Sequence, residues 1–147
     1  MRKVMKFTKY LVGLAASAGL LFGCQELEMV QICDPSEVIP PVLAEVADLT
    51  ITADNQTENA VFTWDAADFG AKVAVNYALE AKYGEGDIYE VVSGLSGTSY
   101  KISYEILNQN LYNGLGLPSD TPVEINLYIS AKVGEDKKYY SAPVKAK

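Results

Sequence analysis

The 147 residues contain no histidine. That absence removes the Ser-His-Asp and Cys-His nucleophile arrangements, most catalytic zinc sites and the usual proton switch near neutral pH. Catalysis would have to rest on carboxylates, lysine or tyrosine, and no acid–base pair is marked out by spacing among the 19 Asp and Glu. Arginine is almost missing as well, since the single one is Arg2. A chain with one guanidinium fork at its second residue, and with acids outnumbering its 12 bases, is poorly equipped to hold a phosphate backbone, so nucleic acid is excluded as a partner. The Gly84-x-Gly86 pair is followed by no helix of the kind that phosphate loops need, and no motif calls for a cofactor or a metal. Only two cysteines occur, Cys24 and Cys33.

What is present begins with a strongly polarised start. MRKVMKFTKY carries Arg2, Lys3, Lys6 and Lys9 without an acid, and LVGLAASAGLLFG follows as thirteen uncharged residues. A buried amphipathic helix would alternate its faces, whereas this run is apolar all round and shorter than the ~20 residues of a membrane span. Residues 1–23 therefore read as a signal peptide. The run ends Leu21-Phe22-Gly23-Cys24, which resembles the lipobox of bacterial lipoproteins, with Leu21 at the aliphatic position, Gly23 at the small one and Phe22 larger than usual. The resemblance implies that Cys24 becomes the first mature residue and carries the lipid. Several acyl chains on one residue hold firmly, because each buried methylene contributes about 0.8 kcal/mol.

Gln25-Glu26-Leu27-Glu28 is similar to the acidic tag with which glycan-degrading Gram-negative bacteria send lipoproteins to the outer face of the outer membrane. With Cys24 lipidated, Cys33 has no intramolecular partner; it is either a lone thiol or an intermolecular link. Eight bases, all lysine, then face 19 acids, a mature net charge of −11.

Residues 24–44, with Pro35, Pro40 and Pro41, read as a tether. Extended at roughly 3.3 Å per residue, it would hold a domain up to about 60 Å from the lipid. Residues 45–147 change character, with β-rich runs separated by turn clusters. Strands are expected over 47–53, 59–65, 73–83, IYEVV, SYKI, 122–134 and 138–146, the last at a sheet edge because of Pro143. A helix capped by Ser103, with Tyr104, Leu107 and Leu111 on one face, should end near Gly114, Gly116 and Pro118. The fold class is all-β: an immunoglobulin-like or fibronectin type III-like β-sandwich of about seven strands with one short helix.

Several stretches converge on one family. The lipobox, the proline-bearing tether, Thr63-Trp64-Asp65-Ala66-Ala67-Asp68-Phe69-Gly70, Val75-Asn76-Tyr77-Ala78-Leu79-Glu80, the Leu107-Asn108 helix running to Leu115-Gly116-Leu117 and the long alternating strand together resemble the N-terminal domain of SusE-type outer-membrane lipoproteins. The resemblance implies a non-catalytic surface lipoprotein of a glycan-uptake system, working beside a TonB-dependent porin and a SusD-like binder. It also implies location more directly than sugar binding, because the family's carbohydrate-binding modules follow this domain and this sequence stops at Lys147.

Within the domain, a glycan would need aromatic faces beside hydrogen-bonding groups. Tyr128, on the polar side of its strand, and the pair Tyr139-Tyr140, one of which must point outward, are the candidate contacts with polysaccharide. Phe62, Trp64 and Tyr77 read as core. Asn55-Gln56-Thr57 matches a glycosylation acceptor, but in a bacterial lipoprotein it reads as a chance match; Asp65 and Asp68 read as solvated turn carboxylates. Two functions are compatible with these residues: an accessory glycan-binding or scaffolding module, or a structural and adhesive lipoprotein that meets protein partners through an open sheet edge.

Overall fold

The alternation of Val123 to Val133 becomes a strand because every second residue finds apolar cover. In the computed structural model, which describes residues 34–135 and 137–147, β6 spans Ile125–Val133 and buries Ile125, Leu127, Ile129 and Ala131 on one face. The expected signal peptide, Cys24, Cys33 and the first part of the tether lie outside the described residues. β6 pairs antiparallel with β3 (Val75–Lys82) over eight registered pairs, from Val75 opposite Val133 to Lys82 opposite Asn126. β4 (Tyr89–Leu95) flanks β3, while β7 (Tyr139–Tyr140) and β8 (Val144–Ala146) line the other side of β6. The second sheet has the order β1–β2–β5, built from Val42–Leu43, Asn59–Asp65 and Ser99–Ser103. All pairings are antiparallel, as an all-β sandwich with one helix requires.

One apolar cluster unites the layers: Phe62 and Trp64 from β2, Tyr77, Leu79 and Ala81 from β3, the inward face of β6, and Leu107 and Leu111 from the helix. Leu79, Leu107, Leu127 and Ile129 are wholly buried. Each such side chain contributes about 1.5–3 kcal/mol relative to exposure.

The helix α1 (Tyr104–Leu115) forms where the sequence signals it. Ser103, in extended conformation, accepts from the Ile106 amide, and Tyr104 and Glu105 donate to the carbonyls of Glu58 and Gln56, so its first turn leaves few amides unsatisfied. At the other end Gly116 adopts φ 63° and donates to the Tyr112 carbonyl, a left-handed stop that glycine makes without steric cost.

Three expectations are corrected. Residues 47–53 form no strand: only Leu49 is buried, Asp48 and Asn55 take Thr50 and Thr52 into local side-chain hydrogen bonds, and these compete with a ladder. The first strand is instead β1, inside the expected tether. Ile39 bridges Asp68, Pro41 and Leu43 are buried and Val42–Leu43 pair with β2, an edge position that tolerates the preceding prolines. The run 138–146 is two short strands: Ser141 still donates its amide to the Ile129 carbonyl but its hydroxyl, in place of its backbone, accepts from the Ile129 amide, and the ladder resumes only after Pro143.

Gly114 shows why α1 lies where it does. A Cβ at this position would run into the ring of Tyr89 at the start of β4. Gly114→Ala should therefore lower the unfolding midpoint in urea, although alanine favours a helix by about 1 kcal/mol. In a Tyr89→Ala background the same change should become neutral or stabilising; equal effects in both backgrounds would show that the helix does not depend on this contact.

Candidate functional site

The period of two that buries Leu79 and Ile129 sends their neighbours to the opposite face. Glu80 stands between Glu90 on β4 and Tyr128 on β6, and Ser130 stands between Ala78 and Tyr140. These two cross-strand rows make the centre of the five-stranded sheet's outer surface. Lys138, just before β7, reaches over them: its ammonium donates to Glu80 Oε1 at 2.6 Å and to Glu90 Oε2 at 2.8 Å. The Ser130 hydroxyl donates to the same Glu80 oxygen at 2.7 Å. Glu80 is thereby covered to 2% exposure on what the strand pattern makes the polar face.

The charges hold one another. Desolvation pulls Lys138 down, but hydrogen bonds to Glu80 and Glu90 and their charges outweigh it and push the ammonium well above the usual lysine range. The hydrogen bond from Lys138, helped by Ser93, holds the Glu90 carboxyl below its ordinary value. Burial, then the charge of Glu80, raises the Tyr140 hydroxyl. Beside this cluster lies an open cavity of about 310 Å³ lined by Asn76, Glu90, Ser93, Ser130, Lys132 and Lys138.

The candidate tyrosines divide. Tyr128 and Tyr140 meet edge to face, 6.4 Å between ring centroids, and Tyr140 is 40% exposed. Tyr139 points to the other side, edge-on to buried Phe69 at 5.5 Å, with Lys137 over its ring. It packs against the core and does not join the platform. Phe62, Trp64 and Tyr77 are buried; the Trp64 and Tyr77 rings lie 5.5 Å apart, and the Tyr77 hydroxyl accepts from the Ala67 amide. Asn55 spends its amide on Thr50 and its carbonyl on Thr52, which leaves little freedom for a modification there. Asp68 accepts from the Gly70 amide in its turn.

Residues 26–130 match the model of a family described as SusE outer membrane protein. The chain belongs to the SusE family. No curated protein matches it. The match runs from just after Cys24 to Ser130, so it takes in both rows of the outer sheet face except Tyr140 and excludes Lys138.

In this SusE chain, sequence reasoning placed Tyr128 outward and missed the Glu80–Glu90–Lys138 cluster. The alternation did mark Glu80 and Ser130 as outward. Nothing in the sequence tells that Lys138, 58 positions from Glu80, closes over them.

The Glu80 side chain is 3% exposed and that of Lys138 31%, so removing the lysine strands a buried carboxylate. Lys138→Met should cost on the order of 3 kcal/mol in denaturant unfolding, and Glu80→Gln in the same chain should recover most of it. A second expectation concerns alkali. Lys138 and Tyr140 are both raised, so their contributions are present below the usual values of about 10 and are lost as pH rises through the folded ones. The urea midpoint should fall above about pH 10, and Tyr140→Phe should make that fall shallower. Glu90, being lowered, acts on the acid side: its contribution is present above the ordinary glutamate value and disappears as pH falls through the lowered one.

Proposed function

We propose that this SusE chain is a non-catalytic lipoprotein, anchored through Cys24 on the exterior of the outer membrane, that serves a polysaccharide-uptake system as an accessory glycan-binding or scaffolding module. A TonB-dependent porin and a SusD-like protein are its proposed partners. The family match supports the setting. The glycan reading rests on one observation: Tyr140, edge to face with Tyr128, is the cross-strand partner of Ser130, which lines a cavity together with asparagine, lysine and glutamate side chains. Aromatic surface beside convergent polar groups is what a sugar ring, with its apolar faces and hydroxyl rim, requires.

The cluster is suited to holding a ligand and ill suited to proton transfer. Both carboxylates are engaged by one ammonium, and a general acid or base needs a proton that can leave near the working pH. The acidic surface, −7 over the whole sequence, disfavours polyanions and leaves neutral glycans as the class.

Affinity electrophoresis of the detergent-extracted protein tests this. Gels containing amylopectin, galactomannan or xyloglucan should include one that retards the wild type, and Tyr128→Ala with Tyr140→Ala should weaken retardation by about tenfold in apparent affinity. If no neutral polysaccharide retards the protein while it still co-purifies with a porin complex, the adhesive or scaffolding reading takes its place.

A further inference from the structure

A strand at the edge of a sheet offers unpaired amides and carbonyls to any further strand. Among the described residues one sheet ends in β1 and β5, the other in β4 and the β7–β8 pair. Most of these edges are guarded. β1 has only two residues behind Pro40 and Pro41, and Pro143 separates the short β7 from β8. β4 shifts register against β3, and Asn110 donates its side-chain amide to the Val91 carbonyl at 3.4 Å. β5 has no such device: it pairs with β2 in unbroken register, from Asn59 opposite Ser103 to Thr63 opposite Ser99.

The phase of that pairing tells where the main chain of β5 points. The Trp64 amide donates to the Thr98 carbonyl and the Tyr104 amide to the Glu58 carbonyl, so the even-numbered residues from 98 to 104 face β2. On the far side of β2 the Thr63 carbonyl accepts from Ala44, so Thr63 faces β1 and leaves its cross-strand partner Ser99 unbonded. The amides and carbonyls of Ser99 and Lys101, and the Ser103 amide, therefore point out of the sheet, with no hydrogen-bond partner among the described residues. Ser99 and Lys101 are exposed.

We infer that the free edge of β5 is a docking site for an extended segment of a protein partner, added as an antiparallel strand with a carboxylate opposite Lys101. The main-chain ladder supplies the hold, and the side chains choose the partner. A second copy of this chain fits poorly. Antiparallel pairing of the free groups joins odd-numbered residues to odd-numbered ones. Any register that uses two or more of Ser99, Lys101 and Ser103 then sets Lys101 opposite its counterpart or on the adjacent diagonal, where like charges repel. The Lys101 ammonium enters no ion pair among the described residues, so an acidic side chain opposite it meets a free charge. On the inner side Ile102 is buried and Tyr100 half-buried, both packed in the core, so the alternate residues of the added strand meet apolar surface. The segment that fits has an acidic residue between two apolar ones. This surface is separate from the glycan reading and does not depend on it.

The test uses the full chain in detergent and a fluorescein-labelled peptide, Ser-Thr-Thr-Val-Glu-Val-Thr-Thr-Ser, beside the same peptide with lysine in place of glutamate. Fluorescence anisotropy should show the glutamate peptide binding about tenfold tighter than the lysine one, and Lys101→Glu should reverse that order. Hydrogen exchange over residues 98–103 should slow in the complex, because the added ladder covers the Ser99 and Lys101 amides. Lys101→Pro removes an amide that β2 does not use; it should leave the urea midpoint nearly unchanged and weaken the glutamate peptide by about tenfold. Equal affinity for the two peptides, binding without slower exchange over 98–103, or no binding at all would overturn the inference. A dimer in light scattering that Lys101→Pro dissolves would overturn it too, since a second copy would then cover the edge.

Discussion

The register between β3 and β6 is the constraint on which the rest of the structure depends. Because side chains alternate across a strand, a slip of one residue would turn Leu79, Leu127 and Ile129 to solvent and bring Glu80, Tyr128 and Ser130 into the core. The apolar face forbids that slip, and so the same eight pairs that build the core also compose the polar face. Glu80 is opposite Tyr128 for the reason that Leu79 is opposite Ile129. The candidate platform is thus a by-product of core packing in its position, and a matter of side-chain chemistry only in its content.

That content is unusual for an outer sheet face. A carboxylate covered to 2% exposure costs free energy unless it is paired, and Lys138 with Ser130 supplies the pairing. Such an arrangement seldom adds net stability over a well-packed apolar triad. Its effect is positional. Lys138 ties the segment before β7 to β3 and to edge strand β4, which fixes where Tyr140 stands relative to Tyr128. A ligand surface made of two strands and one ion-paired strap keeps its geometry better than one made of loops.

How far this was legible in the sequence depends on whether a feature is local. β2, β3 and β6 announce themselves by alternation, and α1 by its serine cap and glycine stop, because each signal lies within the element it specifies. Residues 47–53 misled because Leu, Ile and Thr fit a pleated surface, while the hydrogen bonds that the Thr50 and Thr52 amides donate to Asp48 and Asn55, and Asn55 to the Thr50 carbonyl, are not visible in a hydropathy pattern. Val42–Leu43 were hidden by the prolines before them, which mark a tether and an edge strand equally well. Tyr139 and Tyr140 could be separated only by knowing that Ala131, an inward residue, is the partner of the first. The Lys138 bridge is tertiary, joining residues 58 positions apart, and no local pattern encodes it.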